Sequence, residues 1–217
     1  MGKMESVKVW DIFVRMFHWA LVGSIIGMYI SGEEMHGVHI RLGYFVIALV
    51  VTRIVWGFIG TKHARFGDFL YGPNEIFKYL KSLLVGKPIH YVGHNPAGGL
   101  MVFVLLIALL ATTFAGLKAL AAEGRGPLAY ANQSILSSAY AHEDEHEADE
   151  NRTYDSGSRR QEGKDKFWKE IHEGMTGFML VLIIIHICGA LISSWLHKEN
   201  LILSMITGKK PARHLTK

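Results

Sequence analysis

Apolar residues in this chain are bunched rather than periodic. Four long runs, roughly 12–30, 40–59, 98–120 and 167–196, alternate with polar segments. A helix that is apolar all round has no face to offer water, and each run is near the ~20 residues that cross a bilayer core. The runs predict four transmembrane helices in an all-α, polytopic membrane protein. A barrel would need many ten-residue stretches of alternating polarity, and the chain has none. The first run holds Arg15 and His18 and lacks a small-residue cleavage site, so it reads as a span and not as a cleaved signal peptide. Composition agrees, with 50% of the 217 residues hydrophobic.

The basic residues orient the spans. Lys3, Lys8 and Arg15 precede or open the first; Lys62, Arg65, Lys78, Lys81 and Lys87 lie between the second and third; Lys198, Lys209, Lys210, Arg213 and Lys217 follow the fourth. The short connection at 31–38 carries no Lys or Arg. By the positive-inside rule both termini and the 62–94 connection are cytoplasmic. Residues 121–166 are expected to form a long external loop. It holds six basic and ten acidic residues, and loops of this length weigh less in the rule.

Histidine is costly inside a bilayer and so marks function. His18, His39, His172 and His186 lie in or at the ends of the apolar runs. His172 and His186 are fourteen residues apart, nearly four turns and ~21 Å along one helix face. That puts one towards each side of a core about 30 Å thick. The orientation then pairs His18 with His186 on the inner side and His39 with His172 on the outer side. Bis-histidine ligation of two b-type haems (heme b) fits these pairs. No CxxCH occurs, so covalent haem attachment is not expected. His36, one turn before His39, is the weaker candidate because it precedes the apolar run.

Glycines accompany the ligand candidates. Gly43 follows His39 by one turn, Gly174 and Gly177 follow His172, and Gly189 follows His186. A flat macrocycle beside a helix needs such gaps, although small residues serve helix packing equally well. Gly23 and Gly27 fit packing alone.

The residues also resemble a family. Val9-Trp10-Asp11 with Arg15-Met16-Phe17-His18-Trp19, His39-Ile40-Arg41-Leu42-Gly43-Tyr44 and Arg53-Ile54-Val55-Trp56-Gly57-Phe58-Ile59-Gly60 are similar to the bacterial di-haem cytochrome b561 family. So are Ala64-Arg65-Phe66, Gly93-His94-Asn95-Pro96-Ala97-Gly98-Gly99, His172-Glu173 with His186, and Glu199-Asn200-Leu201 with Met205-Ile206-Thr207-Gly208-Lys209. The family includes the b-type cytochrome subunits of nickel–iron hydrogenases. The resemblance implies a four-transmembrane-helix bundle binding two b haems, carried here by His18/His186 and His39/His172. It also implies electron exchange with membrane quinone.

Other polar residues have two readings each. Arg41 and Arg53 can pair with haem propionates, which accept two parallel hydrogen bonds from a guanidinium, or snorkel to the interface. His94, with Asn95, opens the third span at the level of the inner haem. The pair reads as a helix cap or as the setting of a quinone head-group, where a histidine can carry a proton. His63, His90, His197 and His214 read as solvated. Cys188 reads as a small apolar core residue. The tryptophans fall towards span ends, as an interfacial belt requires. The acidic run at 142–150, with His142 and His146 four apart, reads as a solvated segment, a divalent-metal site or a docking surface for a basic redox partner.

These features point to electron transfer across the bacterial inner membrane, between quinone and an external partner. That partner is a periplasmic c-type cytochrome or a hydrogenase subunit; lipid surrounds the chain and no nucleic-acid partner is expected. No substrate-specific catalytic motif is present, so the chain reads as an electron-transfer protein or quinone-oxidoreductase subunit. Two rivals stand beside it: a haem-free membrane anchor for a partner enzyme, and a proton- or metal-coupled transporter. The transporter would bring broken helices or inverted repeats, which the sequence does not display.

Overall fold

The computed structural model describes residues 6–31, 35–86, 89–91, 93–129 and 150–211. His142, His146 and the acidic run up to Asp149 lie outside the described residues, as does His214. The elements in chain order are β1 (Ser6–Lys8), α1 (Ile12–Ser31), α2 (His36–Ile59), two 3-10 turns, α3 (Pro73–Leu84), α4 (Pro96–Ala122), α5 (Glu150–His197), α6 (Leu201–Thr207) and β2 (Lys209–Pro211). Among the described residues, four stretches are long and apolar enough to cross a membrane: Ile12–Ser31, His36–Ile59, Pro96–Ala122 and Gly163–His197. They coincide with the four expected runs. Large apolar side chains such as Ile26, Phe45, Val55, Phe58, Ile107, Ile184 and Ile187 are exposed along them. Water would penalise such surface; lipid does not.

Two elements depart from expectation. The helix expected from 167 begins at Glu150, so the last part of the supposed 121–166 loop is helical. Its Glu, Arg, Gln and Lys residues are good helix formers but carry no apolar signal. The 62–94 connection contains α3, which starts with Pro at its first position, where the missing N–H costs nothing. Tyr79 of α3 is buried while Phe77, Leu80 and Leu84 are exposed. A twelve-residue helix with such divided faces is too short and too polar to register as a span.

The chain forms two compact units, 1–107 with 181–217, and 108–180. In the first, α1 packs on α2 around Val14, Val46 and Val50. Gly27 lets Leu42 approach: an added Cβ would sit 3.1 Å from that side chain. Phe66 lies over Gly57, where a Cβ would meet its ring at 2.1 Å, and stacks with Phe69 and Phe103.

The two ends of the chain are joined in this unit. β1 and β2 pair antiparallel, with Val7 opposite Lys210. Gly208 ends α6 in the left-handed region at φ 78°, a conformation cheap only for glycine. Its carbonyl accepts from the N–H groups of Val9 and Trp10 at 2.9 and 3.2 Å. Trp10 Nε1 donates to Ser204 Oγ at 3.3 Å, Trp19 Nε1 to Met205 O at 3.3 Å, and Arg15 donates to Ile206 O. Asp11 is the hub. One carboxylate oxygen caps α1 by accepting from Val14 N at 2.7 Å, and the other accepts from Trp56 Nε1 at 3.0 Å and Thr61 Oγ1 at 2.7 Å. The indoles of Trp10, Trp19 and Trp56 therefore have specific partners, beyond the belt role expected of them.

In the second unit, α4 ends in a turn with Gly124 and Gly126 at positive φ. Thr112 and Thr113 return their hydroxyls to carbonyls four residues back. Phe114 packs edge-on to Trp168, with ring centres 6.1 Å apart.

Candidate functional site

His18 lies in α1 and His186 in the C-terminal half of α5, both in the first unit. Their ring centres are 6.5 Å apart, with planes inclined by 54°. An imidazole nitrogen lies about 2.0–2.1 Å from a first-row metal and roughly 1.2 Å from its own ring centre, so two rings facing one metal have centres about 6.4 Å apart. The observed 6.5 Å is close to that value. Nδ1 of His18 is buried without a partner. An unsatisfied buried polar atom costs about 1–3 kcal/mol. Among the described residues no group of three His, Cys, Asp or Glu is placed to hold a metal ion. One turn on from His186, a Cβ at Gly189 would meet nothing within 4 Å, the clearance a flat group requires.

His39 and His172 belong to different units, and each is placed by contacts in its own. His39 is half-buried, and its Nδ1–H donates to Met28 O at 3.3 Å. His172 Nδ1–H donates to Thr112 O at 3.0 Å. A carbonyl on Nδ1 leaves Nε2 as the lone-pair nitrogen, the usual arrangement for a metal-binding histidine. Gly43, beyond His39, has open space at its missing Cβ. His36 opens α2 itself and is exposed. The contact that sequence reasoning missed is Gly116 in α4. A Cβ there would lie 3.0 Å from Cε1 and 3.1 Å from Nδ1 of His172, so glycine at 116 makes room for the ring. A glycine in the middle of an apolar helix, with no turn to form, was its only signal.

Arg53 neither snorkels nor faces outward. It is 3% exposed; both terminal nitrogens donate to Ala64 O at 3.3 and 3.2 Å, and its guanidinium lies over Phe66. Its role is to hold the turn after α2. Arg41 is exposed.

His94 packs between Trp10 and Phe69, at 4.5 and 4.4 Å between ring centres. Burial, reinforced by the nearby positive charges of Arg53 and Lys210, pushes its pKa down to about 3. The imidazole is neutral at physiological pH, and its buried Nδ1 has no partner. Asn95 accepts from Gly98 N at 2.7 Å and caps α4. Beside His94 lies a cleft of about 140 Å³, lined by Lys62, His63, Asp68, Tyr71 and Tyr91 among others. Burial raises the phenols of Tyr71 and Tyr91, and Tyr71 Oη donates to His94 O at 3.0 Å. Burial and neighbouring Lys62 lower His63.

Three histidines expected to be solvated are engaged. His63 lines the cleft, His90 contacts Glu199 Oε1 at 2.7 Å, and His197 Nε2 lies 3.4 Å from Tyr79 Oη. Each partner comes from far along the chain. Cys188, expected in the core, is exposed, because its position on α5 faces away from the packed side.

Comparison with known proteins agrees with this picture. The family model described as prokaryotic cytochrome b561 matches residues 9–208. A probable Ni/Fe-hydrogenase B-type cytochrome subunit of Rhizobium leguminosarum bv. viciae is 26% identical over 95% of this chain and 89% of its own length. The protein of the same description from Bradyrhizobium diazoefficiens is 23% identical over 96% and 87%. That from Azotobacter vinelandii is 27% identical over 60% of this chain and 66% of its own. No solved structure matches significantly.

Proposed function

The chain belongs to the prokaryotic cytochrome b561 family of integral-membrane, electron-transferring b-type cytochromes, and from that premise we propose that it carries electrons between membrane quinone and an external redox partner through two bis-histidine haems. His18 and His186 hold the inner haem; His39 and His172 hold the outer one. The observation that carries this reading is the 6.5 Å separation of the His18 and His186 rings, close to that of two imidazoles sharing one metal ion. The Nδ1–H bonds of His39 and His172 to backbone carbonyls support the outer pair, since they orient each ring and fix its tautomer. Haem, when bound, would supply a one-electron ferric–ferrous couple, and these four histidines would hold it.

The protein's own residues do the rest. They hold the rings and place the His94 cleft in the same unit as the inner pair. Neutral His94 and the phenol of Tyr91 offer hydrogen bonds to a quinone head-group there, while the Tyr71 hydroxyl donates to His94 O at 3.0 Å and fixes the cleft wall. Asn95 contributes as the cap of α4. The termini and the 62–94 connection face the cytoplasm of the bacterial inner membrane, which puts the quinone cleft on that side and the external partner on the other. The neutral state of His94 makes it a hydrogen-bonding group and leaves proton supply to other residues.

A second reading places the chain as the membrane cytochrome of a hydrogenase. The names and full-length coverage of its relatives favour it, and it differs in the partner alone.

The decisive experiment is a reduced-minus-oxidised spectrum with haem quantitation on the purified protein. Two b haems per chain are expected, and His186→Ala is expected to remove one of them while the other survives. A colourless protein from haem-replete cells refutes the cofactor assignment. Loss of the outer haem alone in His186→Ala refutes the pairing.

A further inference from the structure

A buried ionic cluster adjoins the His94 cleft, and nothing in the electron path uses it. Glu199 follows α5 and is 8% exposed. One carboxylate oxygen meets His90 Nε2 at 2.7 Å, and the other lies 3.8 Å from Lys210 Nζ. The His90 side chain is 27% exposed and opens the cluster to water, whereas those of Lys210 and Glu199 are 10% and 7% exposed. At its inner end Lys210 Nζ donates to Gly93 O at 3.5 Å. Gly93 lines the cleft, and a Cβ on it would lie 3.0 Å from His63 Nδ1. Lys210 also sits over the ring of Trp10, which packs on His94. Three groups able to exchange protons therefore run from a water-accessible imidazole to the wall of the cleft.

Resting on the quinone reading above, we propose that His90, Glu199 and Lys210 form the proton route between water and the quinone at the His94 cleft. Reducing a quinone to its hydroquinone takes two electrons, supplied by the reduced haems, and two protons, one to each ring oxygen; oxidation returns the same number. His94, held neutral, carries no proton to give. Lys62 and His63 line the cleft itself, and Lys210 reaches its wall through Gly93 O with Glu199 behind it; burial weakens the hold of Lys210 on its proton and Glu199 restores part of it. Glu199 passes protons on because it touches both neighbours, and His90 exchanges with water. Other titratable groups face the cluster. His197 packs on His90 at 5.5 Å between ring centres, with Tyr79 behind it, while His63 and His94 feel the charge of Lys210.

Staples between chain segments do not require ions, since a buried ion pair is often no more stabilising than apolar residues of its size. A bridging carboxylate with a base on each side is what proton transfer requires.

The test uses the full-length haem-loaded protein in detergent, reduced with dithionite and mixed with a water-soluble naphthoquinone or benzoquinone analogue while haem reoxidation is followed. Glu199→Gln is expected to slow reoxidation roughly tenfold or more, as loss of a proton-transfer group does, and to displace the pH profile. Its haem spectrum and its reoxidation by ferricyanide, which takes up no proton, should be unchanged. Glu199→Asp should recover much of the rate. If Glu199→Gln loses haem, His90→Gln at the rim replaces it with the same expectation. Quinone-driven reoxidation at the wild-type rate and pH profile in either variant overturns the proton route alone. A wild-type protein that reacts with ferricyanide and with no quinone overturns the quinone reading and this proposal with it.

Discussion

Replacing Gly116 with alanine tests whether the space under His172 serves a ligand. The new Cβ would lie 3.0 Å from Cε1 and 3.1 Å from Nδ1 of the ring, closer than the ~3.5 Å of ordinary contact between carbons. The ring must retreat by several tenths of an ångström. The same movement stretches the 3.0 Å bond from Nδ1–H to Thr112 O towards the limit at which a hydrogen bond fails. Losing an outer partner of a metal-bound histidine typically costs 10–100-fold in metal affinity, or about 1.4–2.7 kcal/mol. Gly116→Ala should therefore weaken the outer haem by roughly tenfold or more. The proposed inner haem, with His18 on α1 and His186 nearly four turns from His172 along α5, should keep its spectrum and midpoint potential. Haem quantitation after stringent washing and a potentiometric titration read out both centres. Gly163→Ala is the control: it meets nothing within 4 Å, and in a helix alanine is favoured over glycine by about 1 kcal/mol. Two haems with unaltered affinity and potentials in Gly116→Ala would refute the reasoning, and with it the assignment of His172 as a ligand.

Other perturbations follow from the first unit. Asp11→Asn should lower stability by about 1–3 kcal/mol at pH 7, because a carboxylate accepting from Val14, Trp56 and Thr61 becomes a neutral amide. Burial alone would raise the Asp11 pKa, but those donors and Arg53 outweigh it and hold it below the usual value. The stabilisation is thus present above the unfolded pKa of about 3.9 and lost as pH falls through the lower folded value, so thermal bleaching of wild type and Asp11→Asn should converge in strong acid. His94 has the opposite dependence to a charged, paired histidine. The unfolded form binds a proton below about 6.5 while the folded form resists until about 3, so stability should fall with pH across that window and His94→Phe should flatten the fall. Gly57→Ala forces a Cβ to 2.1 Å from the Phe66 ring and should destabilise by about 1–3 kcal/mol through overpacking; an unchanged melting temperature would contradict the contact.

Much of this protein is determined by sequence alone. Four spans were legible because membrane insertion depends on apolar length, a property of contiguous residues that needs no partner. The four histidines stood out for the same reason, as polar groups in a medium that penalises them, and the fourteen-residue spacing within one helix separated them by level. Tertiary structure decided what depends on residues far apart in the chain. Arg53 looked ready for a propionate or the interface until Ala64 and Phe66 claimed it. Trp10 and Trp19 looked like belt residues until α6 supplied their partners. Gly116 had no meaning without His172, and His90, Glu199 and Lys210 were unremarkable surface charges until folding buried them together beside the cleft. Hydropathy is additive along a chain and can be read from it. Hydrogen bonds and buried charges are pairwise, and their pairs exist only once the chain has folded.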